Sequence, residues 1–164
     1  HPNTQHFDVA SPAVAALVDR AAALQLPVTF DAYSPFDADE IGKLVQLAVT
    51  HPSAKLILAH MGGPRFPELI VFWVLPKYGV PRNVWFDLSA VATLYARSPF
   101  QEQLLFICRK VGIDRVLFGS DFPFFQPTEA LAAVHALGFT AEEERQILYA
   151  NAHALLGLGQ PAAR

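Results

Sequence analysis

The sequence predicts an α/β fold built around a parallel sheet, and two observations carry that prediction. Four short runs, rich in β-branched and aromatic residues, are almost continuously apolar, as expected of strands that are buried on both faces. Helical patterns lie between these runs, which favours right-handed crossover connections between parallel strands. The predicted strands are "LPVTF" (26–30), "KLILA" (55–59), "NVWFDL" (83–88) and "DRVLFG" (114–119).

The helices are predicted from apolar stripes at helical spacing and from capping signals. In a capping box, the side chain of the residue before the helix accepts the backbone N–H three residues later, and the side chain of that later residue accepts the N–H of the first. Two pairs have this spacing: Asp37 with Glu40, and Thr140 with Glu143. The first box is expected to open the second helix, and the second to open a last helix that ends near Leu156. The other helices are predicted over residues 12–25, 66–78 and 99–111.

Composition limits the class of protein. The 164 residues are 52% apolar and 16% charged, with a net charge of −3, and they predict a single domain over residues 1–164. Without a basic cluster, no nucleic acid and no anionic membrane surface is expected as a partner. No apolar run reaches the ~18 residues of a membrane-spanning helix. The single cysteine, Cys108, is expected on a helix face towards the core and favours a reducing, cytoplasmic location.

Two architectures accommodate this order of strands and helices: an open doubly wound sheet, and part of a (β/α)8 barrel. A complete barrel typically needs about 250 residues, so four strands would form half of one. In both architectures, ligands bind where the carboxyl ends of the strands open. The residues that directly follow each predicted strand are therefore the candidates for a site.

Histidine and carboxylate side chains follow the predicted strands. Asp31 follows the first strand, His60 follows the second, and Asp121 follows the fourth. Each alone could be a turn or capping residue. Their occurrence at the same end of neighbouring strands indicates a polar site instead. Imidazole and carboxylate groups suit a metal such as zinc, or general acid–base catalysis.

The strand-end segments resemble the amidohydrolase-related (amidohydrolase 2) family of metal-dependent hydrolases and decarboxylases. "LILAHMGG" resembles the sixth-strand signature of that family, and "RVLFGSDFPF" resembles its eighth-strand signature. "NVWFDLSA" is similar to the seventh strand, and "ILYANAHALLGL" is similar to the closing helix. "HPNTQHF" looks like the segment that follows the fourth strand. The order of these segments is that of the family.

This resemblance implies a (β/α)8 barrel of which the chain supplies strands five to eight, with one divalent metal ion, zinc or manganese. Asp121 matches the carboxylate that binds the metal or accepts a proton from its water. His60 matches the histidine that orients or deprotonates that water or polarises the substrate. Two departures stand out. The His-x-His pair of the first strand has no counterpart, and Asp31 stands where the fifth strand normally ends in a histidine ligand, so that Asp31 could replace it.

The expected activity is hydrolysis of a small carboxylated, amide or lactone substrate by metal-activated water. The alternatives are decarboxylation by the same type of site, and a non-catalytic half-barrel that self-associates. A half-barrel leaves two open sheet edges, so a homodimer or association with an N-terminal half is expected. The residues expected to line the substrate pocket are His1, Tyr33, Arg65 and Ser89.

Overall fold

A four-stranded parallel sheet forms the centre of the molecule. The structure is a computed structural model that describes residues 1–33 and 37–158; the last six residues of the predicted domain, 159–164, lie outside the described residues. The strands correspond to the four predicted apolar runs. They are β1 (Pro27–Asp31), β2 (Lys55–Ala59), β3 (Val84–Asp87) and β4 (Val116–Leu117).

The strand order distinguishes between the two predicted architectures. The strands lie side by side in the order β1-β2-β3-β4, and every pair is parallel. A doubly wound sheet reverses its direction of growth at a switch point. The described sheet has no such reversal, because each strand is added on the same side as the one before. This is the winding of a barrel wall.

Crossover helices cover the sheet, and their apolar faces form the core with it. Phe30, Leu58, Phe86 and Val116 lie in register across the four strands and are all buried. In chain order the α-helices are α1 (Pro2–Gln5), α2 (Pro12–Ala23), α3 (Glu40–Thr50), α4 (Val71–Val74), α5 (Val91–Tyr95), α6 (Gln101–Val111), α7 (Pro127–Ala136), α8 (Ala141–Arg145) and α9 (Asn151–Leu155). Within the described ranges, no helix is long and apolar enough to cross a membrane.

The predicted helix over residues 66–78 is wrong as a regular α-helix. Residues 60–70 and 75–78 form 3₁₀ turns on either side of the single α-helical turn α4. Three prolines, at positions 64, 67 and 76, explain the difference. Proline lacks the N–H that an α-helix needs and its ring clashes with the preceding turn. The segment therefore winds in the predicted place, but mostly without the hydrogen bonds of an α-helix.

The capping box predicted at Asp37 is also wrong. Asp39 precedes the first residue of α3, and Asp37 instead accepts a hydrogen bond from the Asp39 N–H at 2.9 Å. The Glu40 side chain does not reach back to the cap but is buried, and burial raises the pKa of its carboxyl to about 7. The second predicted box, Thr140 with Glu143, is confirmed by both of its hydrogen bonds.

The last predicted strand is shorter than expected because its ends bond elsewhere. Residues 113–115 form a 3₁₀ turn, and the Phe118 N–H donates to the carbonyl of Ile147 at 3.1 Å. That carbonyl lies in a π-helical turn over residues 146–150, between α8 and α9. A hydrogen bond from outside the helix often accompanies such a turn.

The helix α7 was not predicted, although Pro127 and the pair Gln126 and Glu129 mark its start.

Two buried asparagines connect the outer layer to the sheet. The Asn83 amide donates to the carbonyls of Ala48 and His51, and thereby joins the start of β3 to the end of α3. The Asn151 amide donates to the carbonyls of Ile113 and Val116, and thereby joins α9 to β4. Both amides satisfy carbonyls that would be costly to bury without a partner.

Replacing Glu143 by glutamine should lower the free energy of unfolding at pH 7 by about 1 kcal/mol. The Arg109 guanidinium donates two hydrogen bonds of 2.9 Å to the Glu143 carboxylate, and this interaction chiefly lowers the pKa of Glu143 from 4.5 to about 2. A lowered pKa stabilises the fold fully above pH 4.5, and the contribution disappears as the pH falls through about 2.

Urea unfolding between pH 7 and pH 2 measures this difference. The two proteins should converge in stability towards pH 2. Glu142→Gln is the matched control, since Glu142 pairs with Arg145 at a position where both side chains are 60% exposed, and that variant should unfold like the parent. An unchanged stability of Glu143→Gln at pH 7 would contradict the assignment.

Candidate active site

The predicted site residues at the strand ends do come together. Asp31 ends β1, His60 directly follows β2, and Asp121 follows β4 by a short connection. All three line one cavity of about 670 Å³ at the carboxyl edge of the sheet, together with two of the predicted substrate-binding residues, His1 and Tyr33. The other lining residues are Thr4, Ala90, Leu94, Phe124 and Phe125.

The His60 imidazole is held on both sides. Its Nε2 atom lies 3.6 Å from Asp31 Oδ2, and its Nδ1 atom lies 2.9 Å from Ser89 Oγ and 3.3 Å from the Ser89 carbonyl oxygen. Asp31 Oδ2 also lies 3.5 Å from His1 Nε2, while Asp31 Oδ1 accepts the Tyr33 N–H. Asp31 is therefore the centre of a small polar cluster that faces the cavity.

The electrostatics of this cluster favour an ion pair. Burial lowers the pKa of His60, but the hydrogen bond to Asp31 and the negative charges of Asp31 and Asp87 outweigh burial and raise that pKa to about 9. Burial raises the pKa of Asp31, yet the hydrogen bonds from His60 and from the Tyr33 N–H bring it below its ordinary value. At neutral pH, an imidazolium therefore faces a carboxylate at the edge of the cavity.

Asp121 reaches the cavity through a left-handed backbone turn. Its φ angle is 65°, and its carbonyl accepts the Phe124 N–H at 2.9 Å and the Phe125 N–H at 3.4 Å. Aspartate adopts this region of φ more readily than most residues with a side chain. The turn brings the carboxylate and two aromatic rings to the same cavity, so polar and apolar lining derive from one segment, "SDFPFF".

The segment that follows His60 requires glycine where Tyr33 approaches it. Residues 60 to 63 all have positive φ, and a Cβ added at Gly63 would overlap the Tyr33 ring. The Tyr33 ring lies edge-on to the His60 ring, with 6.4 Å between ring centres and 89° between planes. The bare backbone of Gly63 therefore allows Tyr33 to pack against the histidine.

Two of the residues predicted to bind substrate, Arg65 and Ser89, are not among the described residues that line the cavity. Arg65 does not line the cavity: its guanidinium donates to the carbonyls of Asp37 and Ala38 and, at 2.7 and 2.8 Å, to the Glu68 carboxylate. It thereby links the segment before α3 to Glu68. Ser89 is only 5% exposed and lies behind the His60 ring, so it contacts the histidine and not the cavity.

The described residues alone do not fit a complete metal site. Across residues 1–33 and 37–158, no group of three or more His, Cys, Asp or Glu side chains could hold a metal ion. Asp31 and Asp121 offer carboxylate oxygens at the same cavity, but zinc and manganese sites in proteins require more ligands than these two.

The arrangement of strands, histidine and carboxylates agrees with a comparison of the sequence with protein families. A model of the amidohydrolase family (amidohydrolase 2) matches residues 1–158. The chain belongs to the amidohydrolase family. A search of curated proteins found no match to the sequence.

Solved structures share the fold at low sequence identity. An uncharacterized TIM-barrel protein of Bordetella bronchiseptica has a TM-score of 0.71 and 18% identity, over 92% of this chain and 52% of that chain. A dihydroxybenzoic acid decarboxylase of a Polaromonas species, with bound manganese and the inhibitor 2-nitroresorcinol, has a TM-score of 0.68 and 17% identity, over 94% and 56%. An amidohydrolase of Burkholderia multivorans with bound zinc has a TM-score of 0.67 and 17% identity, over 92% and 59%.

These similarities establish the architecture. This amidohydrolase-family chain is an α/β protein whose parallel (β/α) units form about half of a TIM-type barrel. It spans between 52% and 59% of the length of the three structures. The four described strands therefore correspond to half of a barrel wall.

Sequence reasoning missed part of the cavity. Phe124 and Phe125 immediately follow the predicted Asp121 motif, and aromatic residues beside a strand-end carboxylate could have indicated the apolar wall. Leu94 lies on α5, a five-residue helix that was not predicted. Its helix begins after Ala90, which has a φ angle of 56° that no sequence signal indicates. The position of Leu94 depends on that turn.

Replacing Gly63 by alanine should destabilise the protein by about 1–3 kcal/mol, because alanine is strained at positive φ and its methyl group would displace Tyr33. Gly42 provides a matched control within α3, since a Cβ there meets nothing within 4 Å. Gly42→Ala should stabilise by about 0.5–1 kcal/mol. Urea unfolding of both variants tests the pair, and equal effects would refute the proposed close approach.

Proposed function

We propose that this chain supplies one side of the active site of a decarboxylase that acts on a small aromatic carboxylic acid. The observation that carries the proposal is the composition of the cavity: His60, Asp31 and Asp121 provide its imidazole and carboxylate groups, and Tyr33, Phe124 and Phe125 provide aromatic surface. A flat ring fits against aromatic side chains. A decarboxylase with bound manganese among the structural neighbours supports this choice of substrate.

The proposed roles follow from position. Decarboxylation of an aromatic acid breaks the bond between ring and carboxyl carbon, releases CO₂ and leaves the ring carbon to gain a proton. His60 Nε2 faces the cavity beside Asp31, and we assign it the transfer of that proton. Asp121 is a carboxylate in the same cavity. It would repel the substrate carboxylate and thereby orient it away from Asp121.

The second candidate is hydrolysis of a small carboxylated, amide or lactone substrate. The position of Asp121 favours it, because a carboxylate that borders an open cavity can accept a proton from an attacking water. His60 would then polarise the carbonyl or protonate the leaving group. The Burkholderia amidohydrolase with bound zinc supports this alternative. The two activities release different products, CO₂ from one and an acid from the other.

A divalent metal ion, zinc or manganese, is part of the proposal for the complete enzyme. The bound ions of two structural neighbours support it. Asp31 and Asp121 are the proposed ligands from this chain, and the remaining ligands would come from outside the described residues.

A cytoplasmic location is proposed on the basis of the single cysteine, Cys108, which is fully buried and cannot form an internal disulfide.

Asp121→Asn should reduce the activity by at least about 100-fold, because the charge at the cavity is removed. Asparagine tolerates the left-handed backbone at this position, so the fold should persist. The measurement, made on the complete enzyme that contains this chain, is product analysis with a dihydroxybenzoate and manganese. CO₂ release supports the decarboxylase, whereas hydrolysis of an aryl lactone without CO₂ release from the acid supports the hydrolase. Elemental analysis should find manganese with the parent and less with the variant.

The control is Asp19→Asn, a charge change on α2 where the Asp19 side chain is 70% exposed. It should leave activity and metal content unchanged. Full activity of Asp121→Asn would contradict both enzymatic assignments. A protein that shows neither activity and no metal would support the third reading, a non-catalytic half-barrel.

We also propose that the open edges of the sheet pair with further strands, from an N-terminal half or from a second copy of the chain. β1 and β4 each have one neighbour in the described sheet, and unpaired strand edges tend to associate. The chain alone should therefore have at least twice the 18.0 kDa mass of one copy in light scattering after size exclusion. A stable species at 18.0 kDa would contradict self-association.

A further inference from the structure

Asp87, the last residue of β3, accepts three hydrogen bonds at one carboxylate oxygen. Its Oδ1 atom accepts the backbone N–H of His60 at 3.2 Å and the backbone N–H of Ser89 at 2.9 Å, and it also accepts the Ser89 hydroxyl. The two backbone groups can only donate, so Oδ1 is an acceptor whatever the state of the other oxygen. The Ser89 hydroxyl hydrogen therefore points towards Asp87.

The direction of this hydroxyl determines which nitrogen of His60 carries a hydrogen. With its own hydrogen donated to Asp87, Ser89 Oγ can only accept at His60 Nδ1, 2.9 Å away. The Ser89 carbonyl, 3.3 Å from the same nitrogen, is also an acceptor. His60 Nε2 also faces an acceptor, Asp31 Oδ2, but at 3.6 Å, whereas Nδ1 lies 2.9 Å from Ser89 Oγ. The shorter contact keeps the hydrogen at Nδ1 and leaves proton exchange to Nε2 at the cavity.

The Ser89 side chain is fixed by packing as well as by hydrogen bonds. A Cβ added at Gly119 would lie 3.0 Å from Ser89 Cβ and 3.4 Å from Asp87 Cγ. A side chain at position 119 would therefore crowd this pair behind the histidine. The Ser89 hydroxyl thus has one defined environment, enclosed between β3, β4 and the His60 ring.

We propose that Asp87 and Ser89 are positioning residues that fix the tautomer and the orientation of His60. They form a chain of hydrogen bonds from Asp87 through Ser89 to His60 Nδ1, and they leave Nε2 as the nitrogen that moves a proton at the cavity. The effect on catalysis rests on the proposed function, in which His60 transfers the proton. The effect on the tautomer is a property of the fold and is independent of any activity.

The same three residue types could be mistaken for a nucleophilic triad. Asp31, His60 and Ser89 lie in a row, as a carboxylate, an imidazole and a hydroxyl do in serine hydrolases. Here, however, Ser89 donates its hydrogen to Asp87 and is 5% exposed, whereas a nucleophile must reach a substrate and give its proton to the histidine. A fluorophosphonate probe should therefore leave Ser89 unlabelled, and labelling of Ser89 would overturn the proposal.

Nitrogen NMR of the histidine ring tests the positioning directly. The spectra are recorded with ¹⁵N-labelled histidine above the His60 pKa of about 9, where the ring is neutral, and His60 is identified by its absence in His60→Gln. The neutral ring should carry its hydrogen on Nδ1. Ser89→Ala should shift the ratio of tautomers about fivefold towards Nε2–H, the factor expected for one lost hydrogen bond. Asp87→Asn should keep the parent tautomer, because the amide oxygen can accept the same three donors.

Ser98→Ala is the matched control, since the Ser98 hydroxyl, like that of Ser89, both donates and accepts a hydrogen bond: it donates to the Tyr95 carbonyl and accepts the Phe100 N–H. Its loss should not change the His60 ring. A neutral parent ring with its hydrogen on Nε2, or a Ser89→Ala ring identical to the parent, would overturn the proposal.

Kinetics then separate the positioning role from the proposed function. Ser89→Ala should lower kcat about tenfold with little change in KM, because binding groups at the cavity are intact and only the proton transfer is less well aligned. A shifted tautomer in a complete enzyme without either activity would refute the proposed function and support the positioning role. An unshifted tautomer in an active protein would refute the positioning role and support the proposed function.

Discussion

Parallel pairing sets Asp31 beside Ala59, the residue before His60, and sets Asp87 beside Leu117. This register is the constraint on which the site depends, because it brings the ends of four chain segments that are far apart in sequence to one edge. The ends of β1, β2 and β3 then meet as Asp31, His60 and Asp87, and the turn after β4 adds Asp121. Phe30, Leu58 and Phe86 lie in register in the apolar layer beneath them, and their packing keeps the strand ends aligned.

The loops that follow the strands adopt unusual backbone conformations at the site. His60, Ala90 and Asp121 all have φ between 56° and 65°, a region that costs residues with a Cβ about 1–2 kcal/mol each. Local hydrogen bonds offset this cost: Asp87 accepts the His60 N–H, and the Asp121 carbonyl accepts two N–H groups of its own turn. Backbone strain that is maintained in this way is common where side chains must be aimed at a ligand.

Much of the fold could be predicted from the sequence, and the failures have local causes. Apolar runs predicted all four strands, but the end of β4 could not be foreseen because Phe118 bonds to Ile147, on the closing helix. Proline spacing explains why residues 66–78 are not a regular helix. For the site, Asp31, His60 and Asp121 were predicted correctly as neighbours of one cavity, whereas Arg65 was assigned to the substrate by its charge alone. Its guanidinium bonds to carbonyls and a carboxylate near the start of α3.

The sequence by itself determined the order of the four strands, the family resemblance and the residues that stand at the carboxyl ends, since these depend on periodicity and adjacency along the chain. Only the tertiary structure decided what each of those residues contacts. Ser89 is two residues from Asp87 but 29 from His60, and its place behind the imidazole follows from the pairing of β2 with β3. Contacts of this kind depend on strand register and on the direction of individual hydrogen bonds, which no local pattern of residues specifies.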